Sequence, residues 1–259
     1  MIMAIQTFKR YEKKYVITDV KKDAILPILL EKMEFDKYCI GNKDYPIYSL
    51  YFDTKHNDVV RRSVQKPYYK EKLRLRSYKL NPNDDDTVFL EIKKKIGGIV
   101  NKRRVVLQYG EAIDFIKNGR VPKLEGIQQQ IMKEICYYTS VHPIERSVLI
   151  HYDRTALFGK DDKSLRITFD RNLTADDSSD ILRTENRGKF IVSPETRVME
   201  IKISGAFPLW LSGILADNKI YSGSFSKIGT SFQNDTRRSI VLAQNTGFEA
   251  VPAGIAVNY

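Results

Sequence analysis

Cations at every second position are what this sequence offers to chemistry. Lys72-Leu73-Arg74-Leu75-Arg76 alternates three cations with two leucines. Side chains of a strand alternate between its two faces, so the cations share one face and the leucines take the other. The same period recurs along the chain. Glu91 and Lys93 oppose Leu90 and Ile92; Lys102 and Arg104 oppose Arg103, Val105 and Leu107. Arg166, Thr168 and Asp170 oppose Leu165, Ile167 and Phe169; Glu200 and Lys202 oppose Ile201 and Ile203. At the start, Arg10, Glu12 and Lys14 share a face. With Arg154 and Lys227 the set holds twelve cations and four anions, a surplus that makes up most of the net charge of +11.

One arrangement with this pattern is an antiparallel sheet with helices on one side and water on the other, each acid paired to a neighbouring cation. Solvent faces, however, mix both charge signs with neutral polar residues, because like charges side by side repel. A face this cationic is stable when an anion fills the space between its side chains. An antiparallel sheet closed into a barrel puts that face inside a lumen and turns the apolar face outward, under helices. The expected fold is therefore α+β: an antiparallel β-barrel tunnel with helices packed on the outside. The simplest occupant is a phosphate chain. Phosphate chains travel with divalent metal, which needs carboxylate oxygens. Glu200, and after it Glu12 and Glu91, are the candidate metal ligands.

The strands that must position these residues are read at Phe8 to Ile17, Tyr45 to Asp53, Lys70 to Lys79, Val88 to Lys95, Asn101 to Tyr109, Ser147 to Thr155, Leu165 to Asp170 and Arg197 to Ser204. Gly97-Gly98 makes a hairpin of the fourth and fifth. Helices are expected from Thr18, as cap, to about Phe35, and at Asn57 to Val64, Glu111 to Lys117, Leu124 to Tyr138 and Pro208 to Ala216. Another begins at Phe225 to Phe232. Pro27 predicts a kink or a late start in the first helix. Asp176 to Arg187 reads as a polar loop. No linker divides the chain: residues 1–243 read as one domain and 244–259 as a tail.

Composition bounds the rest. At 259 residues, 42% hydrophobic and 29% charged, the chain is globular. Its longest nearly apolar run, Gly205 to Ala216, is too short to span a bilayer, and the N-terminus turns charged too early for a signal peptide. Two cysteines, Cys39 and Cys136, form no disulfide framework or zinc cluster, which places the protein in a reducing cytoplasm. No GxxxxGK[ST] loop is present. His56, His142 and His151 lack metal spacing, and His151 reads as a packed side chain beside Leu149. No helix-turn-helix, zinc or RNP signature points to nucleic acid.

Four segments in order, Arg10-Tyr-Glu12-Lys-Lys14-Tyr15, Tyr48-Ser-Leu-Tyr51-Phe52-Asp53-Thr54, Lys72-Leu-Arg74-Leu-Arg76-Ser-Tyr78 and Glu91-Ile-Lys93-Lys94-Lys95, resemble the VTC domain. That is the polyphosphate polymerase domain of the vacuolar transporter chaperone family, in the triphosphate tunnel metalloenzyme (CYTH-like) superfamily. Tyr152-Asp-Arg154, Arg166-Ile-Thr-Phe-Asp170, Met199-Glu200-Ile-Lys202 and Phe225-Ser226-Lys227 continue the resemblance, which spans about Phe8 to Lys227.

The resemblance implies a transferase that takes the terminal phosphoryl group of ATP and adds it to inorganic polyphosphate, with Mn²⁺ or Mg²⁺. Arg74, Arg76, Lys93 and Lys227 would act on the transferred group. Arg10, Lys14, Lys72, Lys102, Arg104, Arg154, Arg166 and Lys202 would hold phosphates, and Glu200 would ligate the metal. The tyrosines read as core and strand residues more than as base-stacking platforms; Tyr78 or Tyr15, near the tunnel mouth, is the one that could touch a nucleotide. Two departures stand out. Arg10 replaces the first Glu of the superfamily's ExExK strand, as suits the polymerase branch, and Ser224 stands where the family has a second lysine. The sequence shows no phosphoinositide-binding segment before the domain and no span after it, so a separate membrane protein partner, with recruitment to the inner face of a membrane, is compatible with the reading. The competing readings are a triphosphatase that hydrolyses triphosphate or nucleotide, and a non-catalytic polyphosphate-binding module.

Overall fold

The computed structural model describes residues 11–97, 99–177 and 188–246. The strands are β1 (Tyr11–Thr18), β2 (Met33–Phe35), β3 (Tyr45–Thr54), β4 (Tyr69–Ser77), β5 (Thr87–Ile96), β6 (Ile99–Gln108), β7 (Ile144–Gly159), β8 (Arg166–Asp176), β9 (Lys189–Phe190) and β10 (Thr196–Ile203). The α-helices are α1 (Asp19–Lys32), α2 (Asp58–Val64), α3 (Tyr109–Asn118), α4 (Gly126–Val141), α5 (Leu209–Asp217) and α6 (Lys227–Thr246). All strands join one sheet in the order β1-β10-β8-β7-β3-β4-β5-β6, with β2 beside β7 and β9 beside β8. Every pairing is antiparallel.

Among the described residues no ladder joins β1 to β6, so the tunnel forms without a closed ring of strands. The sheet nevertheless curls on itself: Glu12 Oε2 of β1 lies 3.6 Å from Lys93 Nζ of β5, although six strand pairings separate them in the sheet. The segment before α6 runs along the free side of β1, where the Gly223 amide donates to the Lys14 carbonyl at 2.8 Å.

The alternation read from the sequence sets the packing. Leu73, Leu75, Leu90, Ile92, Val105 and Leu107 are buried on the outer face against α3 and α4, in a cluster with Ala112, Phe115, Met132 and Ile135. Burying each such side chain stabilises by about 1.5–3 kcal/mol. A second cluster joins α1 and α5 to β1, β8 and β10 through Ile25, Leu29, Ile167, Phe169, Ile201 and Leu211. The third lies on the lumen-facing side. Ile47, Ile150, Tyr152 and Val198 pack there against Val60 of α2 and Ile228 of α6. The side that carries the cations is thus apolar over part of its length, and α2 and α6 seal it.

Several boundaries differ from expectation. Thr18 caps α1 as read, its hydroxyl accepting from the Lys21 amide, but α1 ends at Lys32 and Met33–Phe35 leaves as a strand on β7. Pro27 stands inside α1, which still starts at Asp19. Strand β8 runs on to Asp176, because its far half pairs with β7 and β9. Helix α6 begins at Lys227, within the expected start at Phe225 to Phe232, and reaches Thr246, into the expected tail. Most of the tail, Phe8 to Arg10, Gly98 and the stretch 178–187 of the expected loop lie outside the described residues.

Candidate active site

The curled sheet encloses a cavity of about 2330 Å³. Seventeen Lys and Arg side chains line it, and four acidic ones. Lys14 and Glu12 come from β1, Lys72, Arg74 and Arg76 from β4, Lys93 from β5, Lys102 and Arg104 from β6, Arg154 from β7, Arg166 from β8, Glu200 and Lys202 from β10, and Lys227 from the first turn of α6. The structure thus brings together every candidate phosphate- or metal-binding residue named above except two. Arg10 lies outside the described residues, and Glu91 sits behind the lining.

Glu91 is 1% exposed and serves as a counter-ion. One oxygen accepts from Arg74 Nε at 2.6 Å; the other takes Lys102 Nζ at 2.6 Å and Arg104 Nη2 at 2.5 Å. Arg76 Nε is 4.0 Å away. The ladder places this carboxylate, since Glu91 pairs with Arg74 on one side and Arg104 on the other. With both oxygens engaged by cations, Glu91 is an ion-pair centre, and its geometry does not suit the metal role read from sequence.

Asp170 is a second centre. Arg154 contacts both its oxygens, Nε at 2.6 Å and Nη2 at 2.9 Å, and Lys227 Nζ reaches Oδ2 at 2.5 Å. Between the two centres lie hydroxyls that the sequence reading did not single out. Tyr51 receives a hydrogen bond from Arg74 Nη1 at 3.2 Å, and Tyr152 one from Arg76 Nη2 at 3.3 Å. The Lys227 ammonium stands 4.4 Å from the Tyr152 ring centroid. Period 2 could have flagged Tyr51, since Ser49 and Tyr51 share a face; Tyr152 stands two residues before Arg154 in the same way.

The third group is carboxylate-rich. Glu200 Oε1 is 2.9 Å from Lys202 Nζ, and Lys14 pairs with Glu200 across the ladder. Glu12 lies 3.5 Å from Lys14, 3.6 Å from Lys93 and 4.0 Å from Lys202. At those separations Glu12 is held by charge more than by direct hydrogen bonds. Thr168, register partner of Glu200, has a buried hydroxyl with no hydrogen-bond partner. Two carboxylates with an unpartnered hydroxyl suit a hard cation that brings phosphate oxygens of its own. No group of three or more His, Cys, Asp or Glu stands together among the described residues, so the chain alone offers no complete metal cage.

The field of the lumen moves its ionisable groups. Burial would raise the Glu91 carboxyl, but Arg74, Arg76 and Lys102 hold it far below the carboxylate range. Against the same burial, Arg154 and Lys227 lower Asp170 to about 2, and Lys202, Lys14, Arg154 and Lys227 hold Glu200 well down. Surplus positive charge then weighs on the lysines. Burial, helped by Arg74 and Arg76, pushes Lys102 to about 7 despite Glu91. Burial, with Lys70, Lys93 and Lys14, pushes Lys72 to about 8. Tyr152 falls to about 8, because Arg76, Arg154 and Lys227 outweigh its burial. An empty lumen therefore sheds protons that a polyanion would call back.

Two further expectations resolve here. Tyr78 lines the cavity, but Tyr15 is 3% exposed on the outer face, in the cluster with Phe169 and Met199, and does not reach the mouth. It alternates with Lys14, so one of the two had to turn outward. His151 stacks on Tyr48 with ring centroids 4.7 Å apart, a packed side chain as read. Ser224 is exposed at the cavity edge and adds no charge. Among the described residues no helix is long and apolar enough to cross a membrane.

Comparison with known proteins agrees with this geometry. Residues 9–234 match the VTC domain family. The fold is shared with a candidate adenylate cyclase from Bacillus halodurans, at 12% identity over 84% of this chain and 95% of that one, with a TM-score of 0.50. A candidate adenylate cyclase from Vibrio parahaemolyticus aligns at 12% identity over 85% and 96% of the two chains, with a TM-score of 0.43. A Pyrococcus horikoshii OT3 protein aligns at 14% identity over 86% and 99%, with a TM-score of 0.42. No curated protein sequence matches the chain.

Proposed function

This chain belongs to the VTC domain family, and on that premise we propose that it is a metal-dependent phosphoryl transferase that makes inorganic polyphosphate from ATP in its cationic tunnel. The observation that carries the reading is the lumen itself, with seventeen cations and four acids around one cavity. Phosphoryl transfer asks mainly for positioning and neutralisation of charge on the equatorial oxygens. Arg74 and Arg76 present planar forks that can grip phosphate oxygens two at a time. Their separation of two residues, about 6.6 Å along a strand, lets the two forks grip different phosphates of one chain. Glu91 holds the Arg74 fork through Nε, and Tyr51 accepts from its Nη1. Lys227 and Arg154, tied together by Asp170, supply charge from the other wall. Lys14, Lys93 and Lys202 surround Glu12 and Glu200, the two carboxylates that would hold Mn²⁺ or Mg²⁺. Such a metal, when bound, would neutralise charge on the phosphates and orient them.

Ser224 favours a second reading. A neutral side chain at the cavity edge lowers the hold on a long chain, as expected of a triphosphatase or a binding module. Incubation with ATP and Mn²⁺, followed by a gel for long polyphosphate and an assay for free phosphate, separates the three. Long product supports the polymerase. Phosphate alone would make the chain a hydrolase, and neither product a binding module.

A further inference from the structure

The two rims of the tunnel differ in chemistry. Because neighbouring strands alternate in direction, the starts of β3 and β5 and the end of β4 lie at one rim. That rim carries Tyr45, Phe89 and Tyr78 at those strand ends, with Tyr38 from the loop before β3, and all four line the cavity. Their rings form a continuous chain, with centroid separations of 6.0 Å from Tyr38 to Tyr45, 6.2 Å from Tyr45 to Tyr78 and 5.7 Å from Tyr78 to Phe89. The interplanar angles run from 56° to 76°, so no ring covers the whole face of its neighbour. Guanidinium groups complete the collar. Arg104 lies 4.5 Å above Phe89, and Arg166 donates to the Tyr45 hydroxyl at 3.4 Å. At the opposite rim, the start of β4 and the end of β5 bring Lys70 and Lys95 into the lining, with Lys66 nearby.

Core packing does not explain the two outer rings of the rim. Tyr38 is 60% exposed and Tyr78 42%, and neither belongs to any of the three apolar clusters. Tyr45 and Phe89 are half-buried beside them, Tyr45 against the third cluster, so the exposed ring surface is that of Tyr38 and Tyr78. Exposed aromatic rings on a charged cavity call for an occupant with a flat apolar face. That occupant must also carry a polyanion, because the next residues inward along β4 and β5 are Arg76 and Arg74, opposite Phe89 and Glu91. A nucleoside triphosphate has both parts. Bases stack on aromatic rings and on Arg guanidinium planes, and stacking tolerates any base because every base has a π face.

We propose that Tyr38, Tyr45, Tyr78 and Phe89 form a nucleobase seat, with the triphosphate pointing inward to Arg76 and Arg74 and the lysine rim left to the polyanion. The proposal rests on the phosphate-binding reading of the lumen. It makes the tunnel directional and its substrates nucleoside triphosphates with little choice of base.

The test compares ATP, GTP and tripolyphosphate by calorimetry on the whole chain, in wild type, Tyr38→Ala with Tyr78→Ala, Tyr78→Phe, and Tyr68→Ala at the lysine rim. The double variant should weaken ATP and GTP alike, by on the order of 5- to 100-fold from lost stacking, and leave tripolyphosphate within about twofold. Tyr78→Phe and Tyr68→Ala should leave all three near wild type. Fluorescence of 2-aminopurine riboside triphosphate should be quenched by wild type and released in the double variant. Unchanged ATP affinity in the double variant, or an equal loss for tripolyphosphate, would overturn the seat while leaving the phosphate tunnel standing. No tripolyphosphate binding by wild type would overturn both.

Discussion

Replacing Glu91 by Gln tests whether the lumen is held together by its own counter-charge. The carboxylate is 1% exposed and touches Arg74, Lys102 and Arg104 directly, with Arg76 at 4.0 Å. The Arg74 and Arg76 side chains are only 17% and 7% exposed, so water does little to screen them once the acid is gone. Removing one partner of a buried ion pair costs about 3–5 kcal/mol. For a chain of this size, about 2–4 °C per kcal/mol converts that to a fall in melting temperature of about 6–20 °C. Lys102 sets where in that range the loss falls. With its pKa pushed to about 7, it can shed its proton at pH 8 and relieve part of the repulsion, so the fall should be larger at pH 6. The sign with pH follows from Glu91. Its folded pKa is lowered, so its contribution is fully present above the unfolded value of 4.5 and is lost as pH drops through the folded value. The gap between wild type and variant should therefore narrow below about pH 4.5. Tripolyphosphate should stabilise Glu91→Gln more than wild type, because it replaces the missing anion. Thermal melts at pH 4, 6 and 8, with and without ligand, read all of this. A variant that melts within about 2 °C of wild type at pH 6, or gains no more than wild type from ligand, would show that the four cations do not need this carboxylate.

Three further outcomes follow. Arg74→Ala with Arg76→Ala should stay folded, since Arg104 and Lys102 still hold Glu91, but should lose most of the stabilisation by tripolyphosphate, which in wild type is about 2.7 kcal/mol at 100 times Kd; a ligand-induced melting shift that survives would move the site off β4. Glu200→Gln should keep the fold and lose metal-dependent turnover, measured as ATP consumption against Mn²⁺ concentration; an unchanged metal dependence would leave Glu200 as an ion-pair partner of Lys202. Tripolyphosphate affinity should fall as pH rises from about 6.5 to 9, because Lys102 and Lys72, with pKa values near 7 and 8, are charged only at the lower end. Calorimetry at pH 8 in buffers of different ionisation enthalpy should then show proton uptake on binding, and zero uptake would mean these lysines do not face the ligand.

The sequence by itself determined which face each strand would present. Strand alternation is a local, two-residue rule, so Lys72, Arg74 and Arg76 had to share a side and Leu73 and Leu75 had to share the other, whatever the rest of the chain did. Lumen and outer core could therefore be read from β4, β5, β6, β8 and β10 without coordinates, and the run of motifs pointed to the family. The same rule leaves open what those faces meet. Glu91 reads equally well as metal ligand or counter-ion until the register sets it between Arg74 and Arg104. Glu12 and Lys93 sit 81 positions apart and meet only because the sheet curls. Tyr152 and Lys227 come together through the docking of α6, which packs against α2 and β7. The aromatic rim is likewise a product of the antiparallel path, which collects strand ends that are far apart in sequence. Alternation depends only on a residue's immediate neighbours, whereas the partner of each lumen side chain depends on the register, curl and closure that the whole sheet adopts together.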